Sequence, residues 1–178
     1  LLLVSRENKF YTAGLYSGSG YVLITGNGCY AIVDGRYYVQ QKARMAAAPR
    51  QMNAVALLAD ENCGFYGHIN RICAGDSVRR LGFEAEVVSC MQYQKLENGL
   101  KPELVPVSPD SMRMVKDEEE IACIRRACEI ADRGYSDILG QIRAGMTEKQ
   151  VENRLLYYMK ELGAEKESFD IIVASGLN

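Results

Sequence analysis

Residues 112–178 read MRMVKDEEEIACIRRACEIADRGYSDILGQIRAGMTEKQVENRLLYYMKELGAEKESFDIIVASGLN. Asp117 followed three positions on by Glu120 has the form of a capping box, and Glu118 and Glu119 complete an acidic first turn that suits the positive end of a helix dipole. Ile121, Ile124, Cys128, Ala131, Tyr135, Ile138 and Ile142 recur at spacings of three and four, which predicts one apolar helical stripe. Gly134 and Gly140 interrupt that helix and mark close packing or a bend. Gly145 suits the residue just past a helix end. Thr147 with Gln150 is a second capping box. Val151, Leu155, Tyr158, Met159 and Leu162 form the second stripe, which Gly163 closes. Phe169 to Ala174 then reads as a largely buried strand. By pattern alone this is a helical hairpin feeding a sheet, the opening of a second domain.

Upstream, strand and helix patterns alternate. Leu1 to Ser5 reads as a short buried strand. Asn8 to Gly20 reads as a loop whose glycines let the backbone pass close to a strand, since no phosphate-binding glycine motif is completed. Tyr21–Thr25 and Cys29–Val33 flank Gly26-Asn27-Gly28, which predicts a hairpin. Asp34 and Gly35 suit a turn. Arg36 suits a carboxylate clamp or, alternatively, a salt bridge within the domain or across an interface. Helices are predicted over Tyr37–Ala48, ended by Pro49, and over Asn62–Ala74 and Val87–Leu100. Strands are predicted over Ala54–Ala59, Val78–Phe83 and Leu104–Val107, the last at a sheet edge because of Pro106. The sum is an α/β fold: a mixed sheet with helices on its faces over residues 1–110, a linker at Ser108–Ser111, and the start of a second domain over 111–178.

The chain has 178 residues, 48% of them hydrophobic and 25% charged, with a net charge of −2. That balance suits a globular protein and offers no general attraction to nucleic acid. No apolar run reaches the length of a membrane span, so no membrane partner and a cytoplasmic location are expected. Six cysteines, at positions 29, 63, 73, 90, 123 and 128, lack C-x-x-C spacing, and His68 is the single histidine, so no zinc knuckle can be written. The cysteines read as small buried hydrophobes.

Several segments together resemble the creatinase/prolidase/aminopeptidase P metallopeptidases. Tyr11-Thr12-Ala13-Gly14 with its glycine-rich continuation, Asp34-Gly35-Arg36-Tyr37 and Leu81-Gly82-Phe83-Glu84 resemble N-terminal motifs of that family. Met112 to Ile121, Gly145-Met146-Thr147-Glu148, Gly163-Ala164, Ser168-Phe169 and Ile172 to Asn178 resemble its domain junction and the opening of its pita-bread catalytic domain. The resemblance implies a hydrolase that cleaves the bond before proline in proline-containing peptides. It implies two divalent metals, commonly manganese, held by two Asp, one His and two Glu downstream of Asn178. On that basis no catalytic or metal-binding residue is expected within residues 1–178, and this stretch is not expected to be active alone. Phe169 corresponds to a substrate-pocket position, with a core aromatic as the alternative. Arg36 and Tyr37 fall in the domain that, in relatives, abuts a neighbouring subunit's active site, so a homodimer is expected. The alternatives within the same fold are a creatinase-like hydrolase and a non-catalytic peptide- or histone-binding module.

Overall fold

The computed structural model describes residues 1–47 and 54–177. The chain divides into two compact units, Leu1–Met114 and Val115–Asn178.

The first unit is a six-stranded mixed sheet. Its strands are β1 (Leu2–Leu3), β2 (Tyr21–Ile24), β3 (Cys29–Asp34), β4 (Ala54–Ala59), β5 (Arg80–Glu84) and β6 (Glu103–Val107), in the order β4-β3-β2-β1-β5-β6. The predicted hairpin forms: β2 and β3 pair antiparallel, with Val22 opposite Ala31. β1 runs antiparallel to β2 and parallel to β5, through Leu2 opposite Leu23 and Leu2 opposite Phe83. β6 lies at an edge, where Pro106 costs no ladder bond on its free side.

Alternation along the strands sends successive side chains to opposite faces. Leu2, Leu23 and Ile32 join Ile69, Cys73, Leu81 and Leu96 in one core. Leu3, Val22, Ala31 and Val33 join Ala13 and Leu15 in the other. Helices α3 (Phe65–Gly75) and α4 (Cys90–Gly99) therefore contribute to the first layer, and α1 (Arg6–Ala13) with α2 (Gly35–Ala47) to the second. His68 on α3 is half-buried, and its Nε2 lies 2.8 Å from the Leu58 carbonyl.

Several expectations are corrected here. Residues 8–20 are not all loop, because α1 occupies their first half. Ser5 caps it by accepting from the Asn8 N–H, and Gly14 ends it in the left-handed region at φ 60°. Its buried side chains are Asn8, Lys9, Thr12 and Ala13, so an apolar-periodicity search has almost nothing to detect. α2 begins at Gly35 rather than Tyr37; Ala48 and Pro49, its expected end, lie outside the described residues. A short 3-10 turn at Asp110–Arg113 falls within the first unit.

The second unit is a helical hairpin of α5 (Glu118–Leu139) and α6 (Glu148–Glu161), followed by irregular chain. Both expected capping boxes form, at Asp117/Glu120 and Thr147/Gln150. The stripe predicted on α5 is largely misphased. Ile124 and Tyr135 are exposed, and the buried positions are Ile130, Gly134 and Ile138. A Cβ on Gly134 would come within 2.9 Å of Met159 Cγ, so close helix packing is what that glycine permits. α5 stops at Leu139, short of Ile142, and Gly145 sits beyond it at φ 89°. Residues 169–174 form no strand among the described residues, because no neighbouring strand is there to satisfy their backbone. Phe169 and Ile172 are exposed. Cys29 and Cys73 are buried as expected, whereas Cys90, Cys123 and Cys128 are exposed, the last two on the solvent side of α5.

Candidate functional site

The three N-terminal motifs, far apart in sequence, converge around α1. At the end of β3, the Asp34 carboxylate receives the Arg36 guanidinium by two bonds, Nε to Oδ1 at 3.1 Å and a terminal nitrogen to Oδ2 at 2.8 Å. It also accepts the Arg36 N–H at 3.0 Å and the Ser19 hydroxyl at 3.1 Å. The Arg36 bonds, with help from Ser19, hold the Asp34 carboxyl down at about 2. The salt bridge within the domain is thus what occupies Arg36, whose outer face is exposed and whose guanidinium lies 5.3 Å from the Tyr37 ring centroid.

Ser19 belongs to the glycine-rich loop, so this aspartate ties that loop to the Asp34–Tyr37 motif. Gly20 closes the same loop at φ 86°, where an added Cβ would meet the Ile32 carbonyl oxygen at 2.4 Å. No side chain fits there, which is the close backbone path expected of these glycines.

The third motif supplies a buried charge. Glu84, 1% exposed at the end of β5, accepts from the Val4 N–H, from the Ser5 N–H at 2.7 Å, from the Ser5 hydroxyl at 2.5 Å and from Asn8 Nδ2 at 2.6 Å. Burial pushes its carboxyl up, but the bonds from Asn8, Ser5 and Val4 outweigh burial and hold it below the usual range. Asn8 Nδ2 reaches Asp110 Oδ1 as well, at 2.9 Å. One residue further on, Lys9 is 1% exposed and donates to the Gly20 carbonyl at 3.1 Å. Burial lowers its pKa, against the opposing pull of Glu84. Neither Lys9 nor Glu84 was marked as special by sequence pattern; the Leu-Gly-Phe-Glu motif was the only signal that contained one of them.

Beside Tyr37 opens a cavity of about 230 Å³. Leu15 floors it, and Tyr16, Ser17, Tyr37, Gln41 and Arg44 line it. Arg6 and Arg44 both approach the Tyr16 ring, at 4.5 and 5.3 Å from its centroid. Gln41 is buried and anchored by donating to the Ala13 carbonyl at 2.8 Å. Of the expected substrate-facing residues, then, Arg36 and Tyr37 are brought together in the first unit. Phe169 lies in the second unit, 73% exposed. Among the described residues, no group of three His, Cys, Asp or Glu side chains is placed to hold a metal ion.

Residues 1–115 match the Creatinase/Prolidase N-terminal domain. The chain belongs to the creatinase/prolidase family. Residues 122–178 match Metallopeptidase family M24, which accounts for the second unit as the opening of a pita-bread domain. An uncharacterized peptidase of Bacillus subtilis is 32% identical over 99% of this chain and 49% of its own length. A Xaa-Pro dipeptidase of Pyrococcus horikoshii is 27% identical over 99% of this chain and 47% of its own. Among solved structures, a Xaa-Pro dipeptidase of Bacillus anthracis superposes with a TM-score of 0.83 at 28% identity, covering 97% of this chain and 47% of that one. The chain spans about half the length of the relatives it matches. The α/β assignment, with a mixed N-terminal sheet and the start of a pita-bread domain, agrees with these creatinase/prolidase neighbours.

Proposed function

We propose that residues 1–178 are part of a Xaa-Pro metallopeptidase of the aminopeptidase P or prolidase type, which hydrolyses the bond before proline. The observation that carries this reading is the succession of two family matches, the prolidase-type N-terminal domain and then M24, in order along the chain. In this reading residues 1–110 shape the active-site entrance and support a homodimer, and residues 111–178 begin the catalytic domain. Phe169 is a substrate-pocket residue in this reading, and Arg36 and Tyr37 are substrate-facing residues of the N-terminal domain. Two divalent ions, manganese in this reading, would supply Lewis-acid chemistry to such a hydrolysis. In this reading residues 1–178 supply none of the metal ligands and are inactive alone. The location is cytoplasmic; among the described residues no helix is long and apolar enough to cross a membrane.

The test is hydrolysis of a Xaa-Pro dipeptide and of a longer Xaa-Pro peptide by the full-length protein, with and without Mn²⁺. Metal-stimulated release of the residue before proline is expected, with none from residues 1–178 alone. A full-length protein that binds such peptides without cleaving them would overturn the assignment in favour of a binding module.

A further inference from the structure

We infer that the cavity beside Tyr37 binds the terminal carboxylate of a short peptide, with Arg44 as its charged anchor. The inference takes the ligand class, a short peptide, from the proposed function and adds the place and the recognising groups.

Three observations lead there. First, the lining contains a guanidinium, hydroxyls and a carboxamide but no acidic side chain. Second, neither Arg44 nor Arg6 has a carboxylate partner among the described residues, although both gather on the Tyr16 ring. A guanidinium held over an aromatic ring by cation–π attraction does not spend its N–H groups on that contact, and they can meet a planar carboxylate by two parallel bonds. Arg36 makes the contrast: its fork is already filled by Asp34. Third, Ser17 is 6% exposed and its hydroxyl oxygen accepts from the Ser19 N–H at 2.9 Å. A hydroxyl that is already accepting still carries a proton to donate. Ser17 supplies that donor at the cavity wall, and Gln41, held by the Ala13 carbonyl, is a rigid neighbour for it. The volume, about 230 Å³, suits a ligand of one or two amino-acid residues.

The test is a titration of the ¹⁵N-labelled 178-residue chain, followed by amide shifts of residues 15–19 and 37–44. The ligands are glycyl-proline, glycyl-proline amide, N-acetylglycine and inorganic phosphate. Glycyl-proline should bind saturably, and its amide at least about tenfold more weakly, the loss expected for one charge-assisted pair. Arg44→Gln, a change at an exposed side chain, should remove that preference. Arg80→Gln, on β5 away from the cavity, should leave it unchanged. If N-acetylglycine binds in the same Arg44-dependent way, carboxylate recognition stands even if the full-length protein proves not to cleave proline peptides. Equal binding of acid and amide, an unchanged preference in Arg44→Gln, or phosphate binding in place of both carboxylates would each overturn the assignment.

Discussion

Glu84 is the residue on which the N-terminal unit turns. Four donors from Val4, Ser5 and Asn8 end on one carboxylate that is 1% exposed. Removing an acceptor of this kind leaves buried donors without partners, at roughly 1–3 kcal/mol for each group that water cannot reach. Glu84→Ala should therefore lower the unfolding free energy by about 3 kcal/mol or more at neutral pH, read from urea midpoints. The sign with pH follows from the lowered folded-state pKa. The carboxylate's contribution is complete above the ordinary carboxyl range and is lost as pH falls through the folded value. The gap between wild type and Glu84→Ala should accordingly narrow on acidification. A gap that stays constant down to acid pH would place the stabilisation in packing rather than in charge.

At the scale of elements, the α5–α6 hairpin rests on one glycine. Gly134 faces Met159 and Leu155 at 2.9 and 3.4 Å from where a Cβ would stand. Gly134→Val should push the helices apart and cost about 1–3 kcal/mol, seen as a lower melting temperature for the second unit alone. The same glycine explains why one part of the hairpin was readable in the sequence and another was not. The capping boxes are local, three residues apart, and both were legible. The α5 stripe runs through apolar residues, yet one of the helix's buried positions, Gly134, has no side chain to score. α1 was hidden for a related reason: its inward face is Asn8, Lys9 and Thr12, and the Glu84 that makes Asn8 a sensible buried residue lies 76 positions away. Residues 169–174 have strand composition but, among the described residues, no strand beside them, and composition alone does not hold a ladder. The cavity beside Tyr37 was legible only as far as Tyr37 itself. Tyr16, Ser17 and Arg44 come from a loop and a helix whose approach no local pattern records.

At the scale of the whole first unit, two leucines hold the sheet together. β1 joins the β4-β3-β2 flank to the β5-β6 flank, and both of its residues are fully buried, one in each core. Leu2→Ala should cost about 2–5 kcal/mol. In native-state hydrogen exchange, the amides of β5 and β6 should then open at lower free energy than those of β3 and β4. Equal acceleration on both flanks would mean that contacts other than β1 bind them together.

This seam also has a consequence for the order of events on the ribosome. β1 precedes the other five described strands of this sheet, and β2 reaches it within about twenty residues, but its second neighbour, at Phe83, arrives much later. Through that interval one side of a Leu-Leu strand stands open, an edge of the kind that recruits stray chains. Slowing synthesis between β3 and β5 would lengthen this window and should raise the share of newly made protein that aggregates, even though the finished molecule is unaltered.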